Sequence, residues 1–195
     1  MTRARVESEL DELSRLAQAT KSLGDQVAAV ASRYAAVLRA GGTLFFCGNG
    51  GSAADAQHVA AEYVVRYTKT RRPLAALALT TDTSILTAAA NDFGYEQVFA
   101  RQVESLCRPG DLLILHSTSG RSPSILAAAR AARERGVGTV ALVGRGEDGL
   151  GGTLATLVDQ ALVVPSDVSG RIQVLHLALE HLIVELVEDA LLPTA

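Results

Sequence analysis

The chain has no tryptophan, one methionine, two cysteines and five prolines in 195 residues, and only 4% of its residues are aromatic. Two cysteines, Cys47 and Cys107, outside any C-x-x-C spacing, exclude a disulfide scaffold and a zinc ribbon and fit a reducing compartment. No sign of charge dominates. Eighteen Lys and Arg against 21 Asp and Glu leave a net charge of −3, which gives no electrostatic reason to expect nucleic acid. No apolar run suits a membrane span, because the longest, 174–187, carries His176, Glu180, His181 and Glu185. Charges also interrupt residues 1–7, unlike a secretion signal. The expected location is the cytoplasm.

What is present is 48% hydrophobic and 20% charged, a composition shifted to the apolar side and read here as apolar surface held between subunits. The length suggests one domain over 1–195. Val6, Leu10, Leu13, Leu16 and Ala17 recur at helical spacing, and 3–40 reads as two helices broken near 22–24 and ended by Gly41-Gly42. Apolar runs over 43–47, 74–79, 111–115, 139–143 and within 154–164 read as strands. Segments 53–66, 84–90, 95–106, 125–135 and 170–190 read as helices. Alternating β and α predicts an α/β fold, a three-layer αβα sandwich on a central parallel sheet. An N-terminal helical pair (1–40), expected to serve oligomer packing, precedes a core over 41–190 that a long C-terminal helix closes.

Ligands of such sheets bind at the carboxyl ends of the strands, and two polar loops fall there. Gly48-Asn49-Gly50-Gly51-Ser52 joins a strand to a helix. Its glycines permit close backbone approach, and the helix N-terminus offers free N–H groups to an anion or a sugar hydroxyl. A tight turn capped by Ser52 is the plainer alternative. The loop fits neither G-x-G-x-x-G nor G-x-x-x-x-G-K-[ST], so dinucleotide and nucleoside triphosphate readings lose support. Ser117-Thr118-Ser119-Gly120-Arg121-Ser122 gathers four hydroxyls at a second such turn, more than capping needs, and suits a phosphate monoester. Asp92 in Asn91-Asp92-Phe93-Gly94 is a candidate acceptor for polyol hydroxyls. Of Arg66, Lys69, Arg71 and Arg72, all but Arg66 read as a solvated basic loop, whereas Arg66 continues the preceding helix.

His58 and Glu62 stand four residues apart, so a helix points both the same way. Gln173 and His181 lie far downstream. Imidazole, carboxylate and amide groups suit a divalent metal or a proton shuttle. His176, five residues before His181, faces elsewhere and reads as structural or interfacial, and His116 has no assignment.

These segments together resemble the phosphoheptose isomerases of the SIS (sugar isomerase) domain. The likeness rests on 47–58, Glu62, Ala90-Asn91-Asp92-Phe93-Gly94, Ser117-Thr118-Ser119-Gly120, and Arg171-Ile172-Gln173 with His176 and His181. It runs from about residue 5 to 190. The resemblance implies an aldose–ketose isomerase converting sedoheptulose 7-phosphate to D-glycero-D-manno-heptose 7-phosphate. It implies Glu62 and His181 as the acid/base pair, and zinc held by His58, Glu62, Gln173 and His181. It implies Asn49, Gly50, Gly51, Ser52, Glu62, Asn91, Asp92, Ser117, Thr118, Ser119, Ser122 and Gln173 as substrate contacts. It also implies a homotetramer with active sites between subunits. Its alternatives are an isomerase of another ketose phosphate and a non-catalytic SIS protein that binds a sugar phosphate or a replication initiator. Non-catalytic relatives of the latter type lack the residues found here as Glu62 and His181. His116, where the family carries a small or aliphatic residue, Arg121 and Gly170 depart from the pattern. Gln173 and His181 lie about 12 Å apart along a continuous helix, so either the helix is irregular near Gln173 or the two reach one site from different subunits, the second being the expectation here.

Overall fold

The structure is a computed structural model describing residues 2–146 and 149–192. Two helices open it, α1 (Arg3–Thr20) and α2 (Gly24–Arg39), separated by a single 3-10 turn. There follow β1 (Leu44–Gly48), α3 (Gly51–Val64), β2 (Ala76–Ala78), α4 (Thr83–Phe93) and α5 (Ala100–Leu106). Next come β3 (Leu112–Ser117), α6 (Pro123–Glu134), β4 (Gly138–Gly144), α7 (Gly152–Leu157), β5 (Gln160–Val164) and α8 (Ser169–Leu191). The strands form one parallel sheet in the order β2-β1-β3-β4-β5.

Successive residues on a strand face opposite ways, and both faces are apolar. Phe46, Leu112, Ile114, Val140 and Leu142 pack under α2, α3 and α8. Phe45, Cys47, Leu113, Leu115, Ala141 and Val143 pack under the helices between α4 and α7. The result is the expected αβα sandwich. Each fully buried Leu or Ile contributes about 1.5–3 kcal/mol of burial free energy, and β3 holds four in succession. Cys47 and Cys107 are free and buried.

Local chemistry explains the element ends. Asp82 caps α4 by accepting from the Ile85 N–H at 3.0 Å. Proline at the first position opens α6, where its missing N–H costs nothing. The segment 154–164 contains the last strand, β5, as expected, and the short α7 precedes it. Three expected extents need correction. The helix read over 95–106 is a 3-10 turn (Tyr95–Gln97) followed by the shorter α5. The strand read over 74–79 is shorter, Ala76–Ala78, with Ala75 and Leu79 still hydrogen-bonded to β1. And α3 stops at Val64, before Arg66, because the Arg71 guanidinium takes the carbonyls of Glu62 and Tyr63 at 2.7 and 2.8 Å.

Arg71 is thus no solvated loop residue. Its side chain is buried and bonds the buried Glu188 carboxylate of α8 at 2.9 Å. Glu188 also accepts from the backbone N–H groups of Tyr67, Thr68 and Lys69 and from the Thr68 hydroxyl. Burial pushes this carboxyl up, but the hydrogen bonds and Arg71 outweigh that and hold it below the usual carboxylate range. The loop after α3 is therefore fastened to α8. α1 is mostly exposed, including Val6 and Leu10 at 57% and 60%, while α2 packs into the chain's own core. No described helix is long and apolar enough to cross a membrane.

Candidate active site

α3 and α8 pack side by side, and this brings three residues together. His58 Nε2 lies 3.0 Å from His181 Nε2 and 3.3 Å from Glu62 Oε1. One ligand atom from each of the three falls within 4.8 Å of the others. Four donors around zinc at 2.0–2.1 Å would stand about 3.3 Å apart at tetrahedral angles. The trio's spacing fits that geometry, and two imidazoles with a carboxylate are a usual donor set. The rings also rest against one another: Tyr67 stacks on His181 with centroids 5.1 Å apart and planes at 14°.

Gln173 is not with the trio. Its amide lies against Gly51, two turns of α8 earlier, where a Cβ on Gly51 would come within 2.6 Å of it. One chain brings together His58, Glu62 and His181 and seats Gln173 at the N-terminus of α3. α8 runs as one helix from Ser169 to Leu191, so Gln173 and His181 are set about 12 Å apart along it within one chain.

The two loops are neighbours because β1 and β3 pair in register, with Gly48 opposite His116. Asn49 is held on both sides: it donates to Ser124 Oγ at 2.9 Å and accepts from the Tyr95 hydroxyl at 2.9 Å. Ser52 is buried in the first turn of α3, whose N-cap is Gly50, so it does not cap the helix. In the second loop Ser117 Oγ is buried and accepts the Gly120 N–H at 3.1 Å. Gly120 has a φ of +62°, and a Cβ there would meet the Gly151 carbonyl at 1.9 Å. Thr118 Oγ1 lies 3.2 Å from Ser169 Oγ, Ser119 Oγ accepts the Arg121 N–H, and Ser122 is the N-cap of α6. A cavity of about 600 Å³ opens at this loop, lined by Thr118, Ser119, Arg121, Arg145, Asp167 and Ser169. The trio lies outside its lining. Asn91 and Asp92 end α4, exposed and bonded to each other at 2.7 Å, next to the turn that delivers Tyr95 to Asn49.

Comparison with known proteins decides the family. The family model described as the SIS domain matches residues 10–144. A phosphoheptose isomerase of Roseiflexus sp. (strain RS-1) is 55% identical over 165 residues, covering 85% of this chain and 82% of that protein. One from Rhodospirillum rubrum is 52% identical over 172 residues, covering 87% and 89%. The structure of phosphoheptose isomerase from Neisseria gonorrhoeae superposes with a TM-score of 0.89 at 40% identity, covering 96% of this chain and 98% of that one. The chain belongs to the phosphoheptose isomerase family. It is an isomerase, and its fold is that of the SIS domain.

Reasoning from the sequence missed several members of this neighbourhood. Tyr95 and Ser124 orient Asn49, and Tyr67 stacks on His181. Each lies far from its partner in sequence or on another element, so no local spacing announced it. His116 and His176 are both fully buried beneath the sheet's end, their rings stacked 6.2 Å apart. Burial, with His116 close by, pushes His176 down to about 3, partly offset by the Val143 backbone.

Proposed function

We propose that this isomerase converts sedoheptulose 7-phosphate to D-glycero-D-manno-heptose 7-phosphate. The observation that carries the reading is the convergence of His58, Glu62 and His181 in a chain of this family. Ser117, Thr118, Ser119 and Ser122 bind the 7-phosphate, because a strand-to-helix turn supplies hydroxyls and backbone N–H donors at one place. Asn49, Gly50, Gly51, Ser52, Asn91, Asp92 and Gln173 take the sugar hydroxyls. Anchoring the distal phosphate fixes the reacting end near Glu62 and His181.

The reaction removes one proton from C1 of the ketose and returns one to C2. In between, an enediol carries a hydroxyl on each carbon, and the C1 oxygen finally becomes the aldehyde as its proton leaves. Glu62, with two carboxylate oxygens, and His181 share the carbon-to-carbon and oxygen-to-oxygen transfers. His58, Glu62 and His181 would hold a zinc ion, together with Gln173 of a neighbouring copy, and the ion would supply Lewis acidity toward the substrate carbonyl. The chain works as one SIS unit over 1–195 in a cytoplasmic homotetramer with sites between subunits. Exposed α1 and the apolar residues of α8 facing outward, Val174, Leu182 and Leu186, support that assembly.

The test is to incubate the protein in D₂O with sedoheptulose 7-phosphate, with and without zinc, following aldoheptose phosphate and C2 deuteration by NMR. Zinc-stimulated product with deuterium at C2 is expected. No product and no exchange in a folded, zinc-loaded oligomer would overturn the assignment and turn the search to other ketose phosphates, then to binding without turnover.

A further inference from the structure

His116 and Glu180 form a buried pair that the reaction does not use. Both side chains are 0% exposed, and His116 Nε2 lies 3.1 Å from Glu180 Oε1. The Tyr34 hydroxyl reaches the same oxygen at 3.4 Å. The His116 ring stacks on Phe46, and Phe46 in turn on Tyr63. Among the described residues, neither His116 Nδ1 nor Glu180 Oε2 has a hydrogen-bond partner. Such a pair is costly to bury, and two apolar residues of similar volume would often make the protein more stable. Its presence therefore asks for a reason other than stability.

Connectivity supplies one. His116 immediately precedes Ser117, the root of the serine loop, and Glu180 immediately precedes His181. The pair is a direct side-chain bond between β3 and α8, one residue from each end of the site. Apolar packing lets a helix slide on a sheet by fractions of an ångström, whereas a hydrogen bond fixes distance and angle. We propose that His116 and Glu180 are positioning residues that hold the serine loop at a set offset from His181. The phosphate anchor and the proton-transfer group then stay in step. This inference rests on the serine loop as phosphate site and His181 as a proton-transfer residue.

The experiment compares the full-length protein with the double variant His116→Leu/Glu180→Leu in two ways. Kinetics with sedoheptulose 7-phosphate should show kcat down about tenfold or more with KM changed less than about twofold, since misplacement of bound reactants weakens the chemical step. The thermal midpoint should stay close to that of the original chain, the relief of the buried pair offsetting the acceptor lost by the Tyr34 hydroxyl. Independently of turnover, inorganic phosphate is titrated while the His181 imidazole resonances are followed. Phosphate should shift them in the original chain, and should bind the double variant equally well without shifting them. Unchanged kcat and KM in the double variant would leave the pair a structural contact and overturn the proposal, with the isomerase assignment intact. His181 resonances that ignore phosphate in the original chain would overturn it as well. If sedoheptulose 7-phosphate is not turned over but the phosphate response is lost in the variant, the substrate assignment fails and the positioning role stands. Should the double variant not fold, His116→Phe/Glu180→Gln, which keeps a planar ring and an isosteric amide, carries the same kinetic and phosphate expectations.

Discussion

At the residue scale, the position of Glu62 on α3 decides its chemistry. Four residues after His58 its carboxylate meets the imidazole at 3.3 Å, and a glutamine there would keep the shape but could not take a proton from carbon. Glu62→Gln is expected to lower turnover by about 10²–10⁴ with an unchanged circular dichroism spectrum; turnover within tenfold of the original chain would remove Glu62 from the mechanism. His176 makes a prediction about pH. Its ionisation is depressed from 6.5 to about 3 in the fold, so between those values the unfolded chain binds a proton that the folded chain does not. Stability is then lost as pH falls through that window, by up to about 1.4 kcal/mol per pH unit from this group. Urea unfolding of the original chain and His176→Leu from pH 7 to pH 4 checks it. The difference should move in favour of the leucine variant as pH falls, and a constant difference would refute the assignment.

At the element scale, the segment after α3 depends on one ion pair. Arg71 ends α3 and neutralises Glu188, so the same side chain sets where α3 stops and ties it to α8. Arg71→Ala leaves a buried carboxylate without its counter-charge and is expected to cost about 3–5 kcal/mol, read as a lower urea midpoint. Because α3 carries His58 and Glu62, kcat should fall with it. A variant of unchanged stability would mean that the backbone N–H donors of 67–69 suffice for Glu188. α3 is shorter than its periodicity suggests because helix periodicity carries no trace of a guanidinium seven residues beyond the last turn. By contrast, α5 ends at Leu106 as expected and differs only at its start, where a 3-10 turn stands.

At the scale of the whole molecule, the outward face of α8 is apolar at i, i+8 and i+12, with Val174 and Leu182 half exposed. If subunits meet there, Leu182→Asp places a charge in the contact. Light scattering is expected to show a smaller assembly, with turnover falling in parallel under the proposal that Gln173 of a neighbouring copy completes the site. An assembly of unchanged mass would remove α8 from the interface.

The sequence by itself determined the layer order, the parallel sheet and the two loops at the strand ends, because hydrophobic runs and glycine punctuation are local signals that strand and helix geometry must obey. It also marked His58, Glu62 and His181, since residue type and helical spacing identify chemistry before any coordinates do. Only the tertiary structure decided which of these meet. The packing of α3 along α8 joined His181 to His58 and Glu62 and seated Gln173 on Gly51 instead. The same packing buried His116 against Glu180, a contact across 64 residues that no local pattern encodes. Sequence patterns report what each element prefers; the side chains that face one another across two elements are set by the offset at which those elements pack.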